Sequence, residues 1–221
     1  MKVVCLLSGG LDSTTLVVDQ LALGREVLAL SVHYGQRHAR ELEAADRIAR
    51  VLQVERVQVD AGTLTALLGG SALTSAAIAV PHGHYADESM KSTVVPNRNM
   101  LLLAMAGALA VAEGAEAVAY AAHAGDHAIY PDCRPAFMDA MAQAFARASW
   151  SPLALLTPFA AWSKAEIVAH GAKLGAPFVL TYSCYEGREA HCGQCGTCVE
   201  RREAFALAGV TDWTTYAPAA A

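Results

Sequence analysis

Positive charge is scarce in this chain. Its 221 residues carry 16 Lys and Arg against 21 Asp and Glu, a formal charge of −5, so there is no general basic field for holding a nucleic-acid backbone, and only a local basic patch stays open. Charged residues are 17% of the total and aromatic residues 7%, while 54% are apolar. That balance excludes a disordered or fibrous chain and fits one compact unit with small appendages. A long apolar run is also missing. The longest, Met100 to Ala112, is rich in Ala and falls short of the ~20 residues that cross a bilayer, so it reads as a buried helix and no membrane partner is expected. The apolar residues Val3 to Leu7 are too few for a signal-peptide core, so the N-terminus is expected to belong to the fold of a soluble, cytoplasmic protein. The GxxxxGK[ST] spacing with its phosphate lysine is absent too, which removes the Walker class of nucleotide-binding proteins.

What is present alternates. Val3 to Leu7 reads as a buried strand, Ser13 to Leu23 as a helix, Val27 to Val32 as a strand, Ala39 to Leu52 as a helix, and Val54 to Val59 as a third strand. This pattern predicts an α/β fold with a parallel sheet. Residues 61 to 95 interrupt it with Gly69-Gly70 and Pro81-His82-Gly83-His84, a connection long enough to suggest a lid. The rhythm resumes with a helix from Asn99 to Glu113, a strand from Ala117 to Ala122, a helix from Arg134 to Arg147 and a short strand at Leu153 to Leu156. Ser163 and Glu166 have capping-box spacing for a helix through Leu174, with Gly175 near its end. A last helix is expected over Val199 to Ala208, and the Ala217 to Ala221 tail is low in complexity. The expected division is an α/β part over residues 1–160 and a C-terminal helical, cysteine-bearing segment over 161–221.

Ser8-Gly9-Gly10-Leu11-Asp12-Ser13 lies where the first strand ends and a helix begins, where unpaired N–H groups and the helix dipole favour an anion. Two glycines permit close backbone approach, and Ser8 and Ser13 add hydroxyl donors. Asp12 is out of place beside an anion unless it caps the helix or binds an accompanying metal. A Gly-Gly turn with a capping Asp-Ser pair is the plain alternative. At every fixed position, however, the segment resembles the SGGxDS loop of the N-type ATP pyrophosphatases. The resemblance implies that ATP is split to AMP and pyrophosphate.

Six cysteines are present, and four of them, Cys184, Cys192, Cys195 and Cys198, fall within fifteen residues. Gly193 and Gly196 leave the backbone room to curl around an ion, and four soft ligands with no open position suit structural Zn2+. An iron–sulfur cluster and a redox dithiol are the rivals, which spacing alone does not separate. Cys5 reads as a core residue and Cys133 as a buried, inert thiol. His82 and His84 read as ordinary polar residues.

Four further segments narrow the family: His33-Tyr34-Gly35-Gln36-Arg37-His38, Val95-Pro96-Asn97-Arg98-Asn99, Tyr130-Pro131-Asp132-Cys133-Arg134-Pro135, and Leu180-Thr181-Tyr182-Ser183-Cys184-Tyr185 with the later cysteines. In this order, from residue 3 to about 208, they resemble the 7-cyano-7-deazaguanine synthases. The resemblance implies a Rossmann-like fold of the adenine nucleotide α-hydrolase type. It also implies a homodimer that uses ATP, Mg2+ and Zn2+ to convert 7-carboxy-7-deazaguanine and ammonia to 7-cyano-7-deazaguanine in queuosine biosynthesis, with no nucleic-acid partner. The chain departs from the family at Tyr120-Ala121-Ala122, at Trp213 and in Gly125-Asp126-His127-Ala128-Ile129. Arg37, Arg98 and Lys164, with His38, are the candidates for offsetting phosphate charge; singly, each also reads as a solvated charge. Asp132 and Asp126 are the candidates for the paired N–H donors of the deazaguanine edge. Asp132 alternatively caps the helix that begins at Arg134. The rivals are a tRNA-thiolating pyrophosphatase, which wants a basic face or an added RNA-binding domain, and a nucleotide-binding regulator that has lost catalysis.

Overall fold

The computed structural model describes residues 1–38, 40–85 and 88–218. Five strands, β1 (Lys2–Leu6), β2 (Glu26–His33), β3 (Glu55–Asp60), β4 (Ala117–Ala119) and β5 (Ala154–Leu156), form one sheet in the order β3-β2-β1-β4-β5. Every pairing is parallel. Helices α1 (Leu11–Ala22), α2 (Arg40–Val51), α3 (Arg98–Ala112), α4 (Pro135–Phe145), α5 (Lys164–Lys173) and α6 (Gly196–Ala208) accompany it.

The apolar runs of β1 and β2 are explained by burial on both faces: Val3, Val4, Cys5 and Ala29 have no exposed surface. The edge strand β3 is only partly buried, and polar residues alternate along it. From β1 the chain winds outward through β2 to β3, then returns to β4 on the other side. The order reverses between β1 and β4, and in such sheets the crevice at the strands' C-terminal ends is the natural ligand site. The Ser8–Ser13 loop leaves β1 at that point.

Several boundaries differ from the sequence expectation. Strand β4 stops at Ala119, not Ala122, because β5 offers only three partners and the ladder closes with the N–H of Tyr120 on the carbonyl of Leu156. Helix α6 starts at Gly196 rather than Val199, because the Cys195 carbonyl already accepts the N–H groups of Cys198 and Val199. The expected start of α2 at Ala39, and Ala219 to Ala221 of the low-complexity tail, lie outside the described residues.

The connection over 61–95 is packed rather than loose. It contains 3-10 turns at Gly62–Leu67 and Glu88–Thr93, and Leu68, Leu73, Met90 and Val95 are buried in the core. His82 forms an antiparallel bridge with Cys195, and the N–H of Gly83 reaches the Gln194 carbonyl. This segment is therefore latched to the cysteine loop.

Arg201 of α6 is 1% exposed. Its guanidinium donates to both Asp212 carboxylate oxygens, to Thr181 Oγ1 and to the Phe178 carbonyl, tying the chain after α6 to the Leu180–Tyr185 segment. Burial would raise the Asp212 carboxyl, but Arg201, Tyr216 and Thr214 hold it below its usual 3.8. That contribution to stability is complete above pH 3.8 and is lost as pH falls through the lower folded-state value. An Arg201→Met chain is expected to lose about 3 kcal/mol in urea unfolding at neutral pH, since Asp212 is left buried without its partner, and to lose this acid step.

Candidate active site

Gly9 adopts φ +94°, and a Cβ there would lie 2.1 Å from the Glu41 carbonyl oxygen and 2.8 Å from the Ala45 nitrogen. Only glycine lets the loop turn this tightly over α2. Beyond it, Ser8 Oγ and Ser13 Oγ lie 3.0 Å apart, and the Gly10 carbonyl accepts from Thr14 N–H and Oγ1. The first-turn N–H groups of α1 have no intrahelical acceptor. Ser8, Gly10, Leu11, Asp12 and Ser13 line a cavity of about 220 Å³, and Gly9, packed against Glu41 and Ala45, is outside its lining. Gly10 is the helix N-cap and makes no side-chain cap, so Asp12 does not cap α1.

Asp12 instead meets a lysine. The Ser163–Glu166 capping box forms as the spacing predicts, with Glu166 Oε2 accepting the Ser163 N–H at 2.7 Å, and it places Lys164 at the first position of α5. Lys164 Nζ lies 3.2 Å from Asp12 Oδ2 and 2.6 Å from Glu200 Oε2, and over the ring of Tyr85. Burial alone would depress this ammonium, but Asp12, Glu200 and Asp126 hold its pKa well above 10.5. Glu200 is pushed up by burial, partly offset by Lys164 and His123. His123 Nδ1 accepts the Gly125 N–H, so Nε2 carries the proton of the neutral ring; it lies 3.6 Å from Asp126 Oδ2 and 4.0 Å from Asp12 Oδ2. Asp12 Oδ1 is buried with no hydrogen-bond partner among the described residues.

Arg98 opens α3 after Asn97, which sits in the left-handed region at φ 53°, and it lines the same cavity. Burial opposes its charge, but Tyr34, Tyr185 and Asp132 more than restore it, so the guanidinium is held well above 12.5. His38 also lines the cavity. It is 2% exposed, with Nε2 3.3 Å from Glu41 Oε2. Two expected residues are elsewhere. Arg37 is exposed and outside the cavity lining, its Nη1 directed at the carbonyls of Ala72, Ser75 and Ile78. Asp132 is also outside the lining. It accepts the Asn99 N–H at 3.0 Å, so it caps the first turn of α3 rather than α4, whose N-cap is Arg134.

The wall that sequence reading did not single out is aromatic: Tyr34, Tyr85, Tyr120, Tyr130 and Tyr185 all line the cavity. Three of these, Tyr34, Tyr130 and Tyr185, stand inside the family segments, a signal that was there to use. Tyr85 and Glu200 have no local signal, because they arrive through the 61–95 connection and α6.

The four cysteine sulfurs all lie within 4.8 Å of one another and are buried. Zn–S bonds of ~2.3 Å in a tetrahedron require S···S edges of ~3.8 Å; Cys192 and Cys198 are already 4.0 Å apart. Backbone N–H groups of Gln194 and Cys195 point at Cys192 Sγ, and that of Cys192 at Cys184 Sγ, as thiolates need. Cys195 is held far below the usual thiol value by its contacts with Cys184 and Cys198, and those two are pushed up in turn. A cation at the centre relieves that competition. The donor set fits a tetrahedral metal.

A family model described as queuosine biosynthesis protein QueC matches residues 2–209. The 7-cyano-7-deazaguanine synthase of Allorhizobium ampelinum is 54% identical over 219 residues, 98% of this chain and 92% of that protein. The synthase of Hahella chejuensis is 49% identical over 215 residues, 97% and 93% of the respective chains. Among solved structures, NMN synthetase from Francisella tularensis superposes with a TM-score of 0.51 at 15% identity, covering 95% of this chain and 77% of that one. The U34-tRNA thiolase NcsA from Methanococcus maripaludis, with its 4Fe–4S cluster, gives 0.52 at 12% identity, covering 94% and 65%. At those identities the likeness is one of fold.

Proposed function

Because this chain belongs to the queuosine biosynthesis protein QueC family and is an enzyme of that pathway, we propose that it makes 7-cyano-7-deazaguanine from 7-carboxy-7-deazaguanine, ammonia and two ATP. The observation that carries this reading is the Ser8–Ser13 loop opening α1 at the sheet's reversal point, with Lys164 and Arg98 facing the same cavity.

Turning a carboxylate into a nitrile removes two oxygens, and each needs a good leaving group. The carboxylate attacks the α-phosphate of ATP and releases pyrophosphate; ammonia displaces AMP to give the amide. The amide oxygen is adenylated by a second ATP, and loss of AMP and a proton leaves the nitrile. In this reading the α1 N-terminus with Ser8 and Ser13 binds the departing pyrophosphate. Lys164 and Arg98 offset the charge that builds on it, and Asp126 accepts from the deazaguanine edge. Asp12, with an orphaned buried oxygen beside the phosphate loop, fits a Mg2+ ligand; that ion, when bound, would neutralise phosphate charge. Cys184, Cys192, Cys195 and Cys198 hold Zn2+ as a structural ion. A cytoplasmic homodimer belongs to the same reading. Arg37 and Asp132 serve through the elements they brace.

The test is turnover with Mg-ATP, ammonium and 7-carboxy-7-deazaguanine, with products followed by mass spectrometry and nucleotides by chromatography. The expected result is the 7-cyano product with about two AMP per nitrile, the stoichiometry that two adenylations require. AMP without the nitrile would remove the substrate assignment, and ADP as the direct product would remove the pyrophosphatase chemistry.

A further inference from the structure

Two hydroxyls of the cavity wall and one outside it, those of Tyr185, Tyr130 and Thr93, form a chain whose direction is set by its far end. Thr93 is fully buried, and its Oγ1 donates to the Met90 carbonyl at 2.7 Å. A carbonyl only accepts and a threonine hydroxyl has one proton, so Thr93 has none left for Tyr130. The 2.7 Å contact between them therefore has Tyr130 as donor. Tyr130 is then spent, and the 3.2 Å contact between Tyr130 and Tyr185 has Tyr185 as donor. On the other side, the Tyr85 hydroxyl donates to Asp126 Oδ1 at 3.0 Å. Burial, reinforced by the neighbouring tyrosines, holds Tyr85 and Tyr185 well above 10, so both keep their protons.

The consequence is a wall of lone pairs. Tyr85, Tyr185 and Asp126 all line the cavity; the Tyr185 proton is directed back to Tyr130, and the Tyr85 proton is taken up within the wall by Asp126 Oδ1, whose Oδ2 also accepts the His123 backbone N–H. Two cations already stand close by: Lys164 Nζ lies 5.5 Å from the Tyr85 ring centroid, and Arg98 acts on Tyr185. The carboxylates of Asp12, Glu200 and Asp126 balance their charge.

We propose that the Tyr85–Asp126–Tyr185 wall is the subsite for an N–H donor, with Thr93 as the positioning residue that sets its polarity through Tyr130. This deepens the reading of the function given above and rests on it for the two sources of such a donor: the amino-pyrimidinone edge of the deazaguanine ring, or the ammonia that supplies the nitrile nitrogen.

Two probes separate the sources, and one of them needs no turnover. Isocytosine presents the amino-pyrimidinone edge alone, and 4-pyrimidinone is the same ring without the amino donor. Ligand-observed NMR titrations of both are made on the unaltered protein and on Tyr185→Phe and Thr93→Val. The Thr93→Val change keeps every tyrosine but removes the acceptor that orients Tyr130, so Tyr130 turns to donate to Tyr185 and the Tyr185 proton turns into the cavity. If the ring edge is the source, the unaltered protein prefers isocytosine by about tenfold, the worth of one good hydrogen bond, and both variants bring the ratio near one. If ammonia is the source, the ratio is near one throughout, and the KM for ammonium rises about tenfold in both variants while the KM for ATP stays. Melting temperatures show that the variants are folded. An isocytosine ratio and an ammonium KM that are both unmoved in the two variants overturn the proposal. Failure of the functional reading shows itself separately, as no nitrile from the unaltered protein whatever isocytosine does.

Discussion

A Cys198→Ser chain is expected to lose its metal and, with it, the order of the C-terminal segment. The unaltered protein should carry about one zinc per chain by atomic emission, and the variant close to none. The scale is large, because a structural zinc contributes on the order of 10 kcal/mol to the folding of the loop that holds it. Loss should spread beyond residues 184–198. The bridge from His82 to Cys195, and the close approach of Met90 to Gly196, where an added Cβ would sit 2.7 Å from Met90 Sδ, attach the 80–93 segment to the same loop. Hydrogen exchange should therefore report lost protection at 184–198 and at 80–93 together, while β1 and β2 keep theirs. Iron and acid-labile sulfide in the unaltered protein would replace zinc by a cluster. Full zinc content in Cys198→Ser would remove Cys198 from the ligand set.

Lys164→Met is expected to reduce kcat about 10³-fold, the upper end of the loss seen when one preorganised stabilising group is deleted. The ammonium sits between Asp12 of the phosphate loop and Glu200 of α6, over Tyr85. Without it, Asp12 in the cavity lining and the buried Glu200 are left with no local counter-charge. Glu200, already pushed up by burial and restrained by Lys164, should then take up a proton more readily. Lys164→Arg should recover part of the rate, since it restores charge but not a compact point donor. A methionine variant that melts near the unaltered protein and turns over within tenfold of it would leave Lys164 as an internal counter-ion only.

The Ser8–Ser13 turn and the capping box were legible because each is a local contract: strand end, glycines and helix start for one, Ser163 and Glu166 three residues apart for the other. The cysteine cluster was legible as a metal-binding spacing, though spacing could not choose the metal. Less local features were left with two roles each. Asp12 is not a cap, since Gly10 already occupies that position and Lys164 claims the carboxylate. Asp132 was offered as an acceptor for the deazaguanine edge or as a cap on the helix beside it in sequence; it accepts from Asn99, 33 positions away. The 61–95 connection looked loose because its glycines and polar residues outnumber any periodic signal. It is packed because Leu73 and Met90 find places in the core.

The sequence by itself determined the parallel α/β fold, the tight glycine turn between β1 and α1 and the grouping of four thiols. Hydrophobic period, glycine and cap chemistry, and short cysteine gaps act over a few residues and need no partner from afar. Only the tertiary structure decided which charges face the cavity, because Lys164, Glu200 and Asp12 meet through contacts between α1, α5 and α6. It alone also set the direction of the Thr93–Tyr130–Tyr185 hydroxyl chain. A hydroxyl gives its one proton to whichever acceptor the packing supplies, and here that acceptor is the Met90 carbonyl in the connection between β3 and α3.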